Sequence, residues 1–400
     1  MNILFISNDS FSNNTSSVIQ NKGIVQGLHQ LGHVVDVLTL QPEKNMNIYD
    51  ESMNDMSPYI HHTYYIPLTK LYKKLAGKQK KFIENTGQES ALKSKLKGKI
   101  RRLIKSFLVY DIRILNVTNL RKIHINLNKY EIVISASDPK SSHYLGYKLL
   151  KANNYQGRYI QYWGDPLYLD ITRQHTFLDP IYKYEEKKMI GYADKVMYAT
   201  PFTLKEQQTL FSVYSKKMSY VNQVPPYMQK KENTESKKFR KLEIVYCGDY
   251  RSKTRNILPL YNAISYSHKD WHLTICGTSD LNLENNRNVT VRGQISHKSA
   301  VALESSADIL ISICNLHGTQ IPGKIYYLCN YDIPILILLD GDFKVELEKY
   351  FKQFEQFNIC ENNESSIIQA IEKMKFIKRN RNKLLLPEYM AEKIIGDLDE

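Results

Sequence analysis

Short runs of β-branched and aliphatic residues recur along this chain with helix-length stretches between them, and this alternation constrains the fold more than any other feature. The runs stand at 2–6, 34–40, 131–135, 158–162 and 195–199 in the first half. In the second half they stand at 243–247, 271–276, 288–292, 308–313 and 334–338. Strands this apolar have no face to offer water, so both faces must be covered. Helical crossovers do this, which makes the sheets parallel and the repeating unit βαβ. The opening unit is complete: a strand at 3–6, a polar loop, a helix around 18–31, Gly32 as C-cap and a strand at 34–40. Pro225-Pro226 and the charged, almost apolar-free tract 230–238 mark a hinge.

Four hundred residues suffice for two such domains, each with its own core. The expected fold class is α/β, with two doubly wound Rossmann-like domains facing across a cleft. The first covers 1–222 with an insert at about 68–110, and the linker covers 223–240. The second covers 241–380, and 381–400 is a C-terminal segment that packs back on the first domain. Ligands of open α/β sheets bind outside the carboxyl ends of the strands, so candidate residues are sought there.

Charge narrows the function classes. The net charge is +14, from 55 Lys+Arg against 41 Asp+Glu, a balance that hints at nucleic acid or membrane. Thirteen of those cations and only two acids, Glu84 and Glu89, fall between Lys70 and Lys105. The excess is therefore one local feature on a nearly balanced chain. Within it Leu92, Leu96, Ile100, Leu103 and Phe107 recur at helical spacing, with lysines and arginines over the remaining surface and Gly98 as a weak point. Three readings stand: a helix packed on its own domain, attachment to anionic lipid, or a nucleic-acid patch. Tyr72, Phe82 and Phe107 are too far apart to interleave with bases, so no nucleic acid is expected. The longest aliphatic run, 333–339, has seven residues, where a membrane span needs about 20. The N-terminus lacks the basic region of a signal peptide, and the five cysteines form no CxxC pair. A cytoplasmic protein with reduced thiols and no metal site is expected.

Three strands of the second half end in glycine. After the strand at 243–247 comes Gly248-Asp249-Tyr250-Arg251-Ser252-Lys253-Thr254-Arg255, which reads either as a solvated basic turn or as a phosphate site. Gly277 and Gly293 follow the next two strands, Gly293 leading to Gln294, Ile295 and Ser296, the last a fair N-cap for a helix through Leu303. Then Asn315-Leu316-His317-Gly318-Thr319-Gln320-Ile321-Pro322-Gly323-Lys324 lies between two buried strands. A helix over 322–329, started by proline, would leave the N–H groups of Gly323, Lys324 and Ile325 free for an anion. It reads as a plain strand–loop–helix or as a diphosphate cradle. In the first half, His143 and Asp165 follow strands; His143 either caps its helix or touches substrate, and Asp165 either opens a turn before Pro166 or is catalytic. Asn13, Asn14 and Thr15 in the first loop are candidate acceptor contacts.

The order Gly-Asp-x-Arg-x-Lys-x-Arg-Asn, Leu-x-Ile-x-Gly, Val-x-Val-x-Gly-Gln-Ile, Ala-Asp-Ile and Gln-Ile-Pro-Gly-Lys-Ile resembles the nucleotide-sugar domain of GT-B glycosyltransferases. It is most similar to the family-four retaining enzymes that build bacterial surface polysaccharides. The first domain, with Tyr162-Trp163-Gly164-Asp165-Pro166, resembles the acceptor half of that group. The resemblance implies a UDP-sugar donor and a lipid-linked or polymeric glycan acceptor, at the inner face of the cell membrane. It implies donor contacts from Gly248, Arg251, Lys253, Arg255, Gly277, Gln294, Ile295, His317, Thr319, Gln320, Ile321, Gly323, Lys324 and Tyr327. No metal or other cofactor is implied. The family's two donor-site glutamates fall, on alignment at Pro334, at Thr319 and Tyr327, and neither is acidic. That departure leaves a second reading, a non-catalytic subunit of the same fold that supports a partner enzyme. An epimerase on this fold would want more carboxylates and histidines than the strand ends carry.

Overall fold

In the computed structural model the described residues are 1–46, 48–76, 108–173, 176–227, 241–374 and 382–397. Most of the basic insert, 77–107, and the tract 228–240 lie outside them. The chain divides into two compact units, Met1–Val221 with Ala391–Glu400, and Asn222–Met390.

Unit 1 is a seven-stranded sheet in the order β3-β2-β1-β4-β5-β6-β7. The strands are β1 Asn2–Ser7, β2 Val34–Leu40, β3 His62–Ile66, β4 Ile132–Ala136, β5 Arg158–Trp163, β6 Lys195–Tyr198 and β7 Met218–Tyr220. Unit 2 is a six-stranded sheet in the order β10-β9-β8-β11-β12-β13. Its strands are β8 Leu242–Cys247, β9 Trp271–Cys276, β10 Val289–Arg292, β11 Ile309–Ile313, β12 Ile335–Leu339 and β13 Phe357–Glu361. The strand pairs of both sheets are parallel, as continuous apolar strands require. Each sheet starts in its middle, grows outward on one side, then returns to grow on the other. The reversal lies at β1/β4 in unit 1 and at β8/β11 in unit 2, and such switch points open a crevice at the carboxyl edge.

Local chemistry sets the crossovers. Thr15 caps the helix Ser16–Gln30 by accepting from the Val18 N–H, and Gly32 closes it at φ +81°. Ser296 caps His297–Ser305 in the same way, accepting from the Ser299 N–H. In unit 1 the core joins Leu4, Ile6, Leu38 and Val133 of the sheet to Leu145, Leu149 and Met189 of the covering helices. In unit 2 Ile244, Leu273, Ile311 and Leu336 meet Leu260, Ile264 and Ile367. Each such side chain contributes roughly 1.5–3 kcal/mol on burial.

Two connections bear on the sites. Residues 222–227, read from the sequence as the end of one domain and the start of a linker, pack within unit 2. There the Asn330 amide donates to the Pro226 carbonyl at 3.1 Å and the Tyr227 hydroxyl donates to Glu388 at 2.9 Å. In unit 1, Arg158 donates to the carbonyls of Ile395 and Gly396 and Lys195 to those of Lys393 and Gly396, which fastens the C-terminal turn beside β5 and β6.

Candidate functional site

At the carboxyl edge of unit 2 the chain leaves β8 at Gly248, whose N–H donates to the Cys276 carbonyl at 2.9 Å. Gly277 holds φ +146°, and a Cβ there would lie 2.0 Å from the Gly248 carbonyl oxygen, so this approach of two strand ends needs glycine. The Tyr250 N–H donates to the Thr278 carbonyl at 3.1 Å, and the Thr278 N–H donates to Asp249 Oδ1 at 3.2 Å. The loops after β8 and β9 are thus one sewn surface. Arg251 stands exposed on it, its guanidinium 3.5 Å from the Thr278 hydroxyl, and Lys253 is exposed beside it.

Arg255 reaches across the switch point. Its Nε donates to Asn315 Oδ1 at 3.0 Å and its Nη1 to the Asp249 carbonyl at 3.2 Å. The Leu316 N–H donates to the Thr254 carbonyl at 2.9 Å, and the Asn315 amide donates to the Gln320 carbonyl at 2.8 Å. One guanidinium therefore fixes the loop after β8 to the loop after β11, with Arg251 next to it. Asn315 was not singled out from the sequence; its signal is an amide two residues past the end of a strand at the switch point.

The second loop differs from expectation in one respect. The helix does not begin at Pro322: it covers Lys324–Leu328, five residues, with Gly323 as its cap. The Ile325 N–H already donates to the Pro322 carbonyl at 3.0 Å, because Pro322–Gly323 form a turn. So short a helix offers neither three free N–H groups nor much dipole. Lys324 is likewise engaged: its ammonium pairs with Glu304 and lies 4.3 Å over the Tyr327 ring. The reason is electrostatic. Glu304 is buried on the helix His297–Ser305, and a buried carboxylate requires a cation and hydrogen bonds. The Tyr331 hydroxyl supplies one of them at 2.7 Å.

Thr319, Gln320, Ile321 and Tyr327 are buried, and His317 is exposed, its Nδ1 2.8 Å from Asp342. Thr319 and Tyr327 are neutral, and the carboxylates that meet this segment are Asp342, on His317, and Glu304, on Lys324. Glu304 carries no local signal, because a single glutamate in the last turn of a helix looks like a solvated one. Gln294 and Ile295 follow β10, the edge strand, two positions out from β8.

Unit 1 gathers its polar groups at the β1/β4 switch. The Asn8 N–H donates to Ser142 Oγ at 2.9 Å, and Arg113 pairs with buried Asp9 at 2.8 Å. Lys140 stands among Asp138, at 2.7 Å, Asp170, at 2.5 Å, and Asp165. Burial would lower the Lys140 ammonium, but the surrounding aspartates hold it well above its ordinary value. Desolvation and the charge of Asp138 push Asp165 up to about 7. Asp111, Arg113, Asp138, Lys140, Asp170 and Arg173 line a cavity of 370 Å³ with Tyr110 and Tyr182. A second cavity, of 590 Å³, is lined by Ser10, Ser12, Thr39, Tyr49, His61 and Tyr65 among others.

The remaining candidates of unit 1 have structural duties. His143 is fully buried, stacked on Trp163 at 4.0 Å, with Nδ1 2.8 Å from Ser135 Oγ. Burial and the Lys140 charge hold its imidazole well below the usual range, so it is neutral. It supports the strand ends from within and has no exposed surface with which to meet a substrate. Asn13 donates to Asp9 at 2.6 Å, Asn14 donates to Asp50 at 3.1 Å, and Thr15 is the helix cap.

No protein-family profile matches the chain, and no curated protein matches it. Solved structures do. The catalytic domain of starch synthase IV from Arabidopsis thaliana, bound to ADP and acarbose, shares 11% identity at TM-score 0.56, over 98% of this chain and 94% of that one. The sucrose-phosphate synthase tll1590 of Thermosynechococcus elongatus shares 13% identity at TM-score 0.54, over 98% and 94%. The N-terminal domain of trehalose-6-phosphate phosphatase from Candida albicans shares 9% at TM-score 0.53, over 99% and 93%. The likeness is one of fold: two Rossmann-like domains of the GT-B class. Among the described residues no helix is long and apolar enough to cross a membrane.

One titration follows from the unit 1 site. Glu186 is fully buried and accepts from the N–H groups of Leu167, at 3.0 Å, and Tyr168, at 2.8 Å. Burial outweighs those bonds and pushes its carboxyl up to about 7. The native state therefore holds this proton where the unfolded chain has released it, and wild-type stability falls as pH rises from the ordinary carboxylate range to about 7. Glu186→Gln, which loses one bond at every pH, should gain on the wild type by up to about 3 kcal/mol between pH 4 and 8 in urea unfolding. A pH-independent difference would mean that Glu186 is ionised throughout.

Proposed function

We propose that the chain is a glycosyltransferase that moves a sugar from a nucleotide-sugar donor, a UDP-sugar, to a lipid-linked or cell-surface polymer acceptor with retention of configuration. In this reading it is of the family-four type that builds bacterial envelope polysaccharides. The observation that carries the reading is the pair of arginines at the unit 2 switch point. Arg255 is aimed by Asn315 and Asp249, and Arg251 is exposed beside it. Guanidinium groups match diphosphate oxygens in charge and geometry, and a leaving nucleoside diphosphate needs that charge as the sugar departs. The neighbour of TM-score 0.56 carries ADP, a ligand of the same kind.

In the proposed reaction the acceptor hydroxyl attacks from the face the nucleotide leaves, with no enzymic nucleophile and no resident metal. The unit 1 cavities, with carboxylates, hydroxyls and tyrosines on their walls, supply groups suited to a glycan, and Asp165, beside Lys140 and Asp138 of the smaller cavity, is the proposed catalytic carboxyl. The neutral Thr319 and Tyr327 favour a second reading, a donor-binding but non-catalytic subunit.

Calorimetric titration with UDP and UDP-sugars tests the donor assignment. Arg251→Ala should weaken binding about 10- to 100-fold, the worth of one charge-assisted contact. Absence of binding by any nucleotide would overturn the proposal, and binding without sugar transfer by the purified chain would select the non-catalytic reading. We also propose peripheral attachment at the cytoplasmic membrane face through the basic stretch between Lys70 and Lys105, whose amphipathic portion lies outside the described residues. Flotation should recover the protein with anionic but not neutral vesicles. Equal recovery with both would remove the electrostatic basis of attachment.

A further inference from the structure

β8 and β9 end in register on two cysteines, with Cys247 the partner of Cys276. Neighbouring strands lie about 4.8 Å apart, inside the roughly 4.4–6.8 Å Cα separation that a disulfide spans. Residues paired in register project from the same face of the sheet, so the two side chains are neighbours. Both thiols are free and buried. The strand ends cannot drift apart, because Gly248 donates to the Cys276 carbonyl and Gly277 is closed against the Gly248 carbonyl.

The surroundings make the two sulfurs unequal. Arg292 and Lys324 add positive charge that favours a thiolate on Cys276, while burial and Glu304 oppose it. The net direction for Cys276 is downward, and for Cys247 it is upward. The nearby cations favour a thiolate in this pair, the nucleophilic form in thiol–disulfide exchange.

We propose that Cys247 and Cys276 form a reversible dithiol–disulfide site at the foot of the donor loops, with a small-molecule disulfide such as glutathione disulfide as co-reactant. The Cys276 thiolate attacks one sulfur of the oxidant, forming a mixed disulfide and releasing one thiolate. Cys247, on losing its proton, attacks the Cys276 sulfur and releases the second thiolate, which takes that proton. Two protein thiols are oxidised and one disulfide is reduced to two thiols. Because Gly248 and Gly277 follow the cysteines directly, the new bond changes the spacing of the loops that carry Arg251 and Thr278. An effect on nucleotide binding rests on the function proposed above; the cross-link itself does not.

The full chain, incubated with glutathione disulfide and then alkylated under denaturing conditions, tests this. Two of its five cysteines should escape alkylation. A peptide linking Cys247 to Cys276 should appear about 2 Da lighter than the two reduced peptides together, and dithiothreitol should reverse the link. Cys247→Ser should stop at one glutathione held on Cys276. Alkylation of all five cysteines, or a link that joins other cysteines instead, would overturn the proposal. Nucleotide affinity should be lower in the oxidised form and return on reduction; equal affinities would overturn the coupling to binding while leaving the link to be judged by mass.

Discussion

The Arg255 guanidinium, held by the Asn315 side chain and the Asp249 carbonyl, is the interaction on which the unit 2 site depends. Parallel sheets leave little else free. Their strands are apolar throughout, their faces are covered by helices, and their backbone groups are spent on ladders, so chemistry collects at the carboxyl edge. Within that edge the two loops flanking the switch point come from strands that are adjacent in space and distant in sequence. A group that joins them converts two independent turns into one surface. Arg255 does this with a cation, so the same contact that orders the loops places positive charge beside them.

Unit 1 solves the parallel problem with opposite chemistry. Its switch region is crowded with carboxylates, and Lys140 is the cation that keeps them together. Two carboxyls there, Asp165 and Glu186, are driven up to about 7 mainly by burial. One edge thus concentrates arginines suited to phosphate, and the other concentrates acids held partly or wholly out of water.

The central strands were legible in the sequence because burial on both faces writes an unbroken apolar run. Those that escaped notice are β3, β7 and β13, and all three are sheet edges. His62–Ile66 reads HTYYI and is partly or fully exposed up to its last residue, Met218–Tyr220 has three residues, and Phe357–Glu361 carries an asparagine and a glutamate. An edge strand has one neighbour and keeps polar residues, so its sequence resembles a loop. The sites were legible to a similar depth. Glycines and arginines after β8 announce themselves locally, whereas Glu304, Asn315 and Lys140 acquire meaning only from partners far along the chain. Lys324 illustrates the limit: its position beside a proline–glycine start suggested an anion, and a buried glutamate on another helix had already taken its charge.

A crystal structure of the chain with UDP bound tests the central claim most directly. The account predicts the diphosphate at the β8/β11 switch, with its oxygens within hydrogen-bonding distance of Arg251 or Arg255. A nucleotide bound in unit 1, or in unit 2 away from both arginines, would contradict it.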